Sequence, residues 1–441
     1  MQAASQIEGH AGTPELALFP PQAAAEQRAR PRRLALWAAL AVVGPGLMVM
    51  LADTDAGSVV TAAQSGARWG YDLLPLEVAL VPVLYLVMEL TVRLGIATGK
   101  GHARLVRDCF GAKWAVLSVG TLLVSTTGAL VTELAGLAGV AAMEGIRPSV
   151  SVPAAAGFLG LIVLSGSYRR VEHIGIALGL FELAFLVAAL RAHPAASAMA
   201  RGFLSVGPLS RPSYVAILAA NVGAVVMPWM VFYQQAAVVD KGLVAKDLRT
   251  ARVDTAVGAV ITQVVMMAVL VATAAALYTQ GAGHAAAPLR DVQEISAALV
   301  PSLGVSGGRV AFVLGMAGAA FVAAIVVSLA AAWACAEAWG ARGSLNAKAR
   351  QAPLFYGAYY ASLIVATVIT LSWGHAVQLS IAVEVGNSLL LPVVLGFLLA
   401  VAWKALPAPY RLTRSRSVLI AAVVVAVLVL NFVLGLTAVG L

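Results

Sequence analysis

The sequence predicts an all-α polytopic membrane protein of eleven spans, arranged as two inverted repeats of five helices plus one further helix. Three observations predict it. Of 441 residues 61% are apolar and 11% charged, with a mean hydropathy of +0.91, whereas soluble chains carry roughly a quarter charged side chains. The apolar residues fall into eleven runs, each close to or above the ~20 residues that a helix needs to cross a bilayer core. Two of these runs, the first and the sixth, are broken in the middle by residues that a lipid-facing helix would not hold. Such a composition excludes a disordered chain, a secreted disulfide scaffold and a cytosolic enzyme.

In order, the runs cover residues 34–67, 73–96, 114–141, 151–167, 172–191, 213–239, 251–279, 308–340, 355–373, 376–404 and 416–440. Residues 1–33 are polar and end in Arg28, Arg30, Arg32 and Arg33. They lack the apolar core and small-residue cleavage site of a signal peptide, so they read as a cytoplasmic tail before an uncleaved first helix. The first repeat then spans 34–191, an extracytoplasmic loop 192–212, the second repeat 213–404 and the last helix 405–441. Cys109 in a basic loop and Cys335 in an apolar span have no CxxC partner, so neither a disulfide nor a zinc site is expected.

A net charge of +9 and a pI near 9.8 need a cause. With the N-terminus inside, the tail and the inner loops carry 21 of the 29 Lys and Arg. The outer loops carry seven: Arg68, Arg147, Arg191, Arg201, Arg211, Arg290 and Arg309. This is the positive-inside pattern, and it places the C-terminus outside. The charge reports topology, so no nucleic-acid partner is implied. Membrane lipid is the surrounding partner, and nothing in the chain specifies an oligomer beyond a monomer.

The first break reads Gly44-Pro45-Gly46, then Ala52-Asp53-Thr54-Asp55-Ala56-Gly57-Ser58. Two carboxylates near the membrane centre are costly unless they are paired, hydrated or bound to a cation. The second reads Asn221-Val222-Gly223-Ala224-Val225-Val226-Met227-Pro228-Trp229, where proline removes a backbone hydrogen bond and frees a carbonyl. The breaks lie five helices apart. Five is odd, so the second unit enters the membrane upside down, which is the arithmetic of an inverted repeat whose broken helices build a midplane substrate site. A single Pro or Gly kink is common in membrane helices, but two at corresponding positions, one with a carboxylate, point to a site.

The donors on offer there are Asp55, the Ser58 hydroxyl, carbonyls freed near Ala52 and Ala224, and the Met227 thioether. Oxygen ligands suit Mg²⁺, Mn²⁺ and Ca²⁺, while sulfur tilts toward Mn²⁺, Fe²⁺ and Cd²⁺. The metal is then the substrate, with no cofactor implied. Asp53 is a second ligand or faces an aqueous vestibule, and the vestibule is the reading adopted.

These residues resemble the NRAMP family of divalent metal transporters. The stretch DAGSVVTAAQSGARWGY (Asp55 to Tyr71) is similar, without a gap, to the family's DPGN segment and its Gly-Ala-Arg-aromatic-Gly-Tyr ending. LGIATGK (Leu94 to Lys100) is similar to its second-helix end, and GAVVMPW (Gly223 to Trp229) to its GATVMPH segment. The resemblance covers about residues 40–400. It implies a LeuT-like fold of two inverted five-helix repeats plus one helix, with metal held by Asp55, Ser58, Ala224 and Met227, and the Ala52 carbonyl in addition.

The departures are as informative. The family's Pro and Asn are Ala56 and Ser58 here, and its MPH histidine is Trp229, an indole that cannot relay a proton. The third-helix acids of the family's proton path match Glu133 and Gly136, and an upstream Glu matches Thr126. This pattern resembles the NRAMP-related magnesium transporters, in which proton coupling is lost and a larger site admits Mg²⁺ with Mn²⁺. A retained Met227 is not the ligand that Mg²⁺ would choose.

Among the remaining charged residues, Glu89 and Arg93 are four apart and form a structural pair. Asp254 and Glu337, near span ends, read as solvated. Glu172, His173 and His102 read as surface residues, and Gln234 and Gln235 as lining an exit path. Glu77 and Glu182 are further intramembrane acids. Glu384 precedes Asn387, Ser388 and Pro392 where the family carries a glutamine near the metal, so it is a candidate ion ligand or gate.

The expected function is a divalent cation transporter (Mn²⁺ or Mg²⁺, with Fe²⁺ and related ions) that works by alternating access without strong proton coupling, in a bacterial inner membrane. The alternatives are a proton-coupled transition-metal symporter, and an amino-acid or organic-amine symporter of the same fold, against which Asp55 argues. No HExxH, GxSxG or Ser/His/Asp arrangement lies in the spans, so an enzyme is not expected.

Overall fold

Where Pro, Gly and acid interrupt the first and sixth apolar runs, the helices stop and restart. The computed structural model describes residues 44–278, 289–304, 307–372 and 376–439. The predicted tail (1–33) and the start of the first span (34–43) lie outside them. The first span contributes α1 (Pro45–Asp53) and α2 (Ala56–Trp69). There follow α3 (Leu74–Thr98), α4 (His102–Phe110), α5 (Ala112–Met143) and α6 (Pro148–Val163). The fifth span is α7 (Tyr168–Gly179), a 3₁₀ turn (Leu180–Leu183) and α8 (Ala184–Arg191). A short helix, α9 (Ala196–Phe203), sits in the connecting loop. The sixth span splits into α10 (Pro212–Val225) and α11 (Pro228–Asp240). The chain continues through α12 (Leu248–Leu277), α13 (Val292–Leu303), α14 (Gly308–Ala338), α15 (Pro353–Ser372), α16 (Ala376–Ala405) and α17 (Arg414–Val439).

Among the described residues there is no strand, and nine helices are long and apolar enough to cross a membrane. Two of the predicted spans fall outside that nine. The first is divided at Thr54-Asp55, and the fourth, α6, has only 16 residues. The fourth also begins earlier than predicted, because Pro148 occupies its first turn, where a missing N–H costs nothing.

The two broken spans lie side by side. Helix α2 packs on α10 and α1 on α11, so the half that follows one break meets the half that precedes the other. Helices α12 and α14 flank α1, α5 runs along α14, and α16 lies on α10 and α2. Gly223 permits the α10–α16 approach: a Cβ there would fall 1.9 Å from the Glu384 carbonyl oxygen.

Several residues that read as solvated are instead the ties at the end of the bundle that carries the basic loops. Asp254 is 5% exposed and accepts from the N–H groups of Gly44 (3.2 Å), Gly46 (2.8 Å) and Leu47 (3.3 Å). It caps α1 from α12, satisfying donors that Pro45 and the absence of a local cap leave open. Glu172, also buried, pairs with Lys241 at 2.8 Å beside Gly44. Glu337, half-buried, accepts from Arg104 N–H at 3.3 Å. His102 is fully buried edge-on against Phe232, and burial pushes its imidazole pKa down to about 4. Of this group only His173 is exposed.

Gln234 and Gln235 are likewise structural: the first donates to Thr255 Oγ1 and the second to the Lys100 carbonyl, both at 2.9 Å. The Glu89–Arg93 pair forms at 2.7 Å as expected, and Arg252 and Arg416 converge on the same carboxylate. Cys109 and Cys335 are both free thiols.

Candidate ion site at the two helix breaks

The first break works by diverting one hydrogen bond. In an unbroken helix Ala56 N–H would bond the Ala52 carbonyl. Here it donates to Glu133 Oε2 on α5 at 3.1 Å, and the carbonyl of Ala52 is left without that donor. Asp55 then begins α2 as its N-cap, its Oδ1 accepting from Ser58 N–H at 2.6 Å. Its Oδ2 has no partner, although the residue is fully buried.

The second break follows from proline chemistry. Pro228 has no N–H to give the Ala224 carbonyl four residues earlier. That carbonyl instead accepts from the Ser58 hydroxyl at 3.0 Å, bridging the two breaks. Met227, completely buried in the extended link, has its sulfur within 3.0 Å of the Trp229 indole N–H. The indole that stands in the histidine position thus engages the sulfur.

The tenth span supplies another acid. Glu384 is buried, with Oε2 accepting from Asn387 at 2.9 Å and Oε1 unpartnered. Ser125 on α5 in turn donates to Asn387 Oδ1 at 2.6 Å and fixes that amide. A Cβ built on Gly57 would lie 2.5 Å from Glu384 Oε1 and 3.4 Å from Asp55 Oδ1, so the two carboxylates meet across a glycine. Any side chain at position 57 would part them.

Asp55, Ser58, Ala224 and Glu384 are therefore linked in one place, and Ala52 and Met227 stand at the two breaks themselves. Of the proton-path positions, Glu133 reaches it through Ala56 N–H, with Thr132 Oγ1 at 3.3 Å from its other oxygen. Gly136 is closed off, because a Cβ there would lie 2.6 Å from the Ala56 Cβ. Thr126 is buried and donates to the Leu123 carbonyl. Asp53 does not face a vestibule. It is 1% exposed and lies against α12, where Thr262 donates to its Oδ2 at 3.3 Å.

Three features select a cation over an anion. Two carboxylate oxygens, Asp55 Oδ2 and Glu384 Oε1, are buried without partners. The C-terminal ends of α1 and α10, the negative poles of their dipoles, both end here and offset the positive poles of α2 and α11, which begin at the same breaks. Freed carbonyls add further oxygen. Among the described residues no group of three or more His, Cys, Asp and Glu has metal-cluster geometry. The donor set mixes carboxylate, carbonyl, hydroxyl and thioether, which suits an ion that must leave again.

Sequence reasoning missed Asp254 as the clamp on α1, and the engagement of Met227 by Trp229. The cue for the first was an acid in the seventh span with an uncapped Gly-Pro-Gly helix start elsewhere in the chain. For the second, the i, i+2 spacing across Pro228 gave none.

Comparison with known proteins bears on what this geometry serves. Residues 46–437 match the family model described as Nramp, natural resistance-associated macrophage protein-like. A divalent metal cation transporter MntH from Pectobacterium carotovorum is 29% identical over 302 residues, covering 66% of this chain and 71% of the relative. The homologue from Yersinia enterocolitica is 28% identical with the same coverage. A manganese transporter from Eremococcus coleocola superposes with a TM-score of 0.72 at 18% identity, over 92% of this chain and 88% of that one. A Na⁺-coupled sialic acid symporter shares the fold more distantly, with a TM-score of 0.55 at 14% identity, over 81% and 78%. The chain belongs to the NRAMP family of divalent metal transporters, an integral membrane carrier of LeuT-like fold and not an enzyme.

Proposed function

We propose that this protein carries Mn²⁺ and Mg²⁺ across a bacterial inner membrane by alternating access, with its N-terminus in the cytoplasm and without strong proton coupling. The observation that carries the reading is the pair of unpartnered carboxylate oxygens, Asp55 Oδ2 and Glu384 Oε1, between two broken helices with freed carbonyls. Asp55, Ser58, Glu384 and the carbonyls of Ala52 and Ala224 form an oxygen-rich set, while Met227 supplies the one soft donor. The names of the relatives, a divalent metal cation transporter and a manganese transporter, support the substrate class.

Uncoupled transport is supported by the surroundings of that set. Trp229 has no titratable group, Gly136 has no space for an acid, and Thr126 is a hydroxyl. Glu133 is held by a backbone N–H at the break itself. A relay needs successive proton carriers, and three of the four positions that match the family's proton path carry none. The membrane potential suffices as a driving force, at about 2.3 kcal/mol per elementary charge per 100 mV, doubled for a divalent ion.

Selectivity tests the ligand set. Met227→Ala is expected to weaken Mn²⁺ and Cd²⁺ uptake roughly tenfold and Mg²⁺ uptake less than twofold, since only the softer ions gain from sulfur. Trp229→Phe removes the indole N–H from the sulfur, and the expected result is the opposite shift, toward Cd²⁺. Competition for uptake by proteoliposomes reads both. Equal effects on all ions would remove Met227 as a selective ligand.

A further inference from the structure

Besides Asp55, Glu384 and Glu133, the first-helix break carries acids that the site above does not use. Asp53 ends α1 and faces α12, where Thr262 donates to its Oδ2 at 3.3 Å. The hydroxyls of Thr54 and Thr262 lie 2.7 Å apart. Glu182 lies in the 3₁₀ turn Leu180–Leu183, directly after Gly179, where an added Cβ would fall 2.8 Å from the Leu51 side chain of α1, so the fifth span carries it against the end of that helix.

The exposure and bonding of these groups are unusual. Glu182 is 0% exposed and has only the Thr54 hydroxyl beside its carboxylate; Asp53 is 1% exposed and its Oδ1 has no hydrogen-bond partner. Burying a carboxylate in this way is costly unless a cation or hydrogen bonds offset it. The helical run of the fifth span is interrupted at this point by the 3₁₀ turn that carries Glu182.

We propose that Asp53, Glu182, Thr54 and Thr262 form a second cation site, which takes a hard divalent ion of the same class as the substrate, so that the carrier holds two ions near the first-helix break. Two carboxylates neutralise one divalent ion. The donors are carboxylate and hydroxyl oxygens with no sulfur or nitrogen, the set that Mg²⁺, Mn²⁺ and Ca²⁺ prefer and Cd²⁺ does not. The first site contains the Met227 sulfur, so the two sites differ in softness and can be told apart. The inference rests on the divalent-metal reading given above.

Equilibrium binding of Mn²⁺ to the purified full-length protein tests it. Two Mn²⁺ per chain are expected for the wild type, one for Glu182→Gln and one for Asp55→Ala. Mg²⁺ is expected to displace the ion that Glu182→Gln loses, and Cd²⁺ the ion that Asp55→Ala loses. Thr262→Val, which removes a hydroxyl and no charge, is expected to weaken the second ion at least threefold and leave the first unchanged. One Mn²⁺ in both wild type and Glu182→Gln overturns the second site while the transport reading stands. Two in Glu182→Gln overturns its placement, and none in the wild type overturns the metal reading along with it.

Discussion

Uptake of every divalent ion is expected to fall at least about 100-fold in Asp55→Ala, in proteoliposomes loaded with Mn²⁺, Mg²⁺ or Ca²⁺ indicators. The carboxylate does two things at the break. It caps α2 through Ser58 N–H, and it offers Oδ2 to the ion. Loss of the cap alone costs about 1 kcal/mol. Removing one partner of a buried charge pair costs about 3 kcal/mol or more, which is a factor of about 100 in affinity. The positive pole of α2 would then face the cation unopposed. Asp55→Asn separates the two roles, because the amide oxygen still caps the helix. The expected result is a protein as stable as the wild type with the transport defect of Asp55→Ala. Transport retained in Asp55→Asn would mean that the charge is not what holds the ion.

Gly223→Ala is expected to be as damaging for a different reason. The added methyl would sit 1.9 Å from the Glu384 carbonyl oxygen and 2.9 Å from Ser388 N, both backbone atoms that cannot turn aside. Helix α16 must withdraw, and Glu384 leaves Gly57 and Asp55 with it. Overpacking of this kind costs typically 1–3 kcal/mol or more. The yield of monodisperse protein should drop several-fold, and the remainder should transport poorly. Gly386→Ala is the control: it lies on the facing helix α16, and nothing lies within 4 Å of its added atom. Equal behaviour of the two variants would contradict the close approach of α10 and α16.

The breaks are legible in the sequence because their causes are local. Pro228 deletes an N–H whatever surrounds it, and in a chain with so few charges the pair Asp53 and Asp55 stands out inside an apolar run. Helix ends follow Pro and Gly for the same reason. The features that the sequence hides depend on distant partners. Asp254 near a span end has the look of a solvated acid until Gly44, Gly46 and Leu47 are seen to converge on it from another helix. Glu172 needs Lys241, 69 positions away, and His102 needs Phe232. Asp53 reads as water-facing in the sequence because its neighbour Asp55 is assigned to the ion. Successive positions at a helix end point in different directions, and Asp53 points to Thr262. Glu182 is visible as an intramembrane acid, but the 3₁₀ turn that carries it has no Gly or Pro inside to announce it.

Gly136 shows how sequence and structure combine. The resemblance identifies it as the position of a missing acid, and the structure adds that no acid can be put back, since Ala56 fills the space beside it. On the uncoupled reading proposed above, the packing of α5 on the first break is what keeps an acid from position 136. The most direct test of uncoupled transport is a paired flux measurement at zero voltage, with a metal indicator and a pH indicator enclosed in the same proteoliposomes. An uncoupled carrier admits Mn²⁺ or Mg²⁺ with no change in internal pH beyond that of empty liposomes, and this is the expected result. Internal acidification that tracks metal entry and vanishes in Asp55→Asn would contradict it.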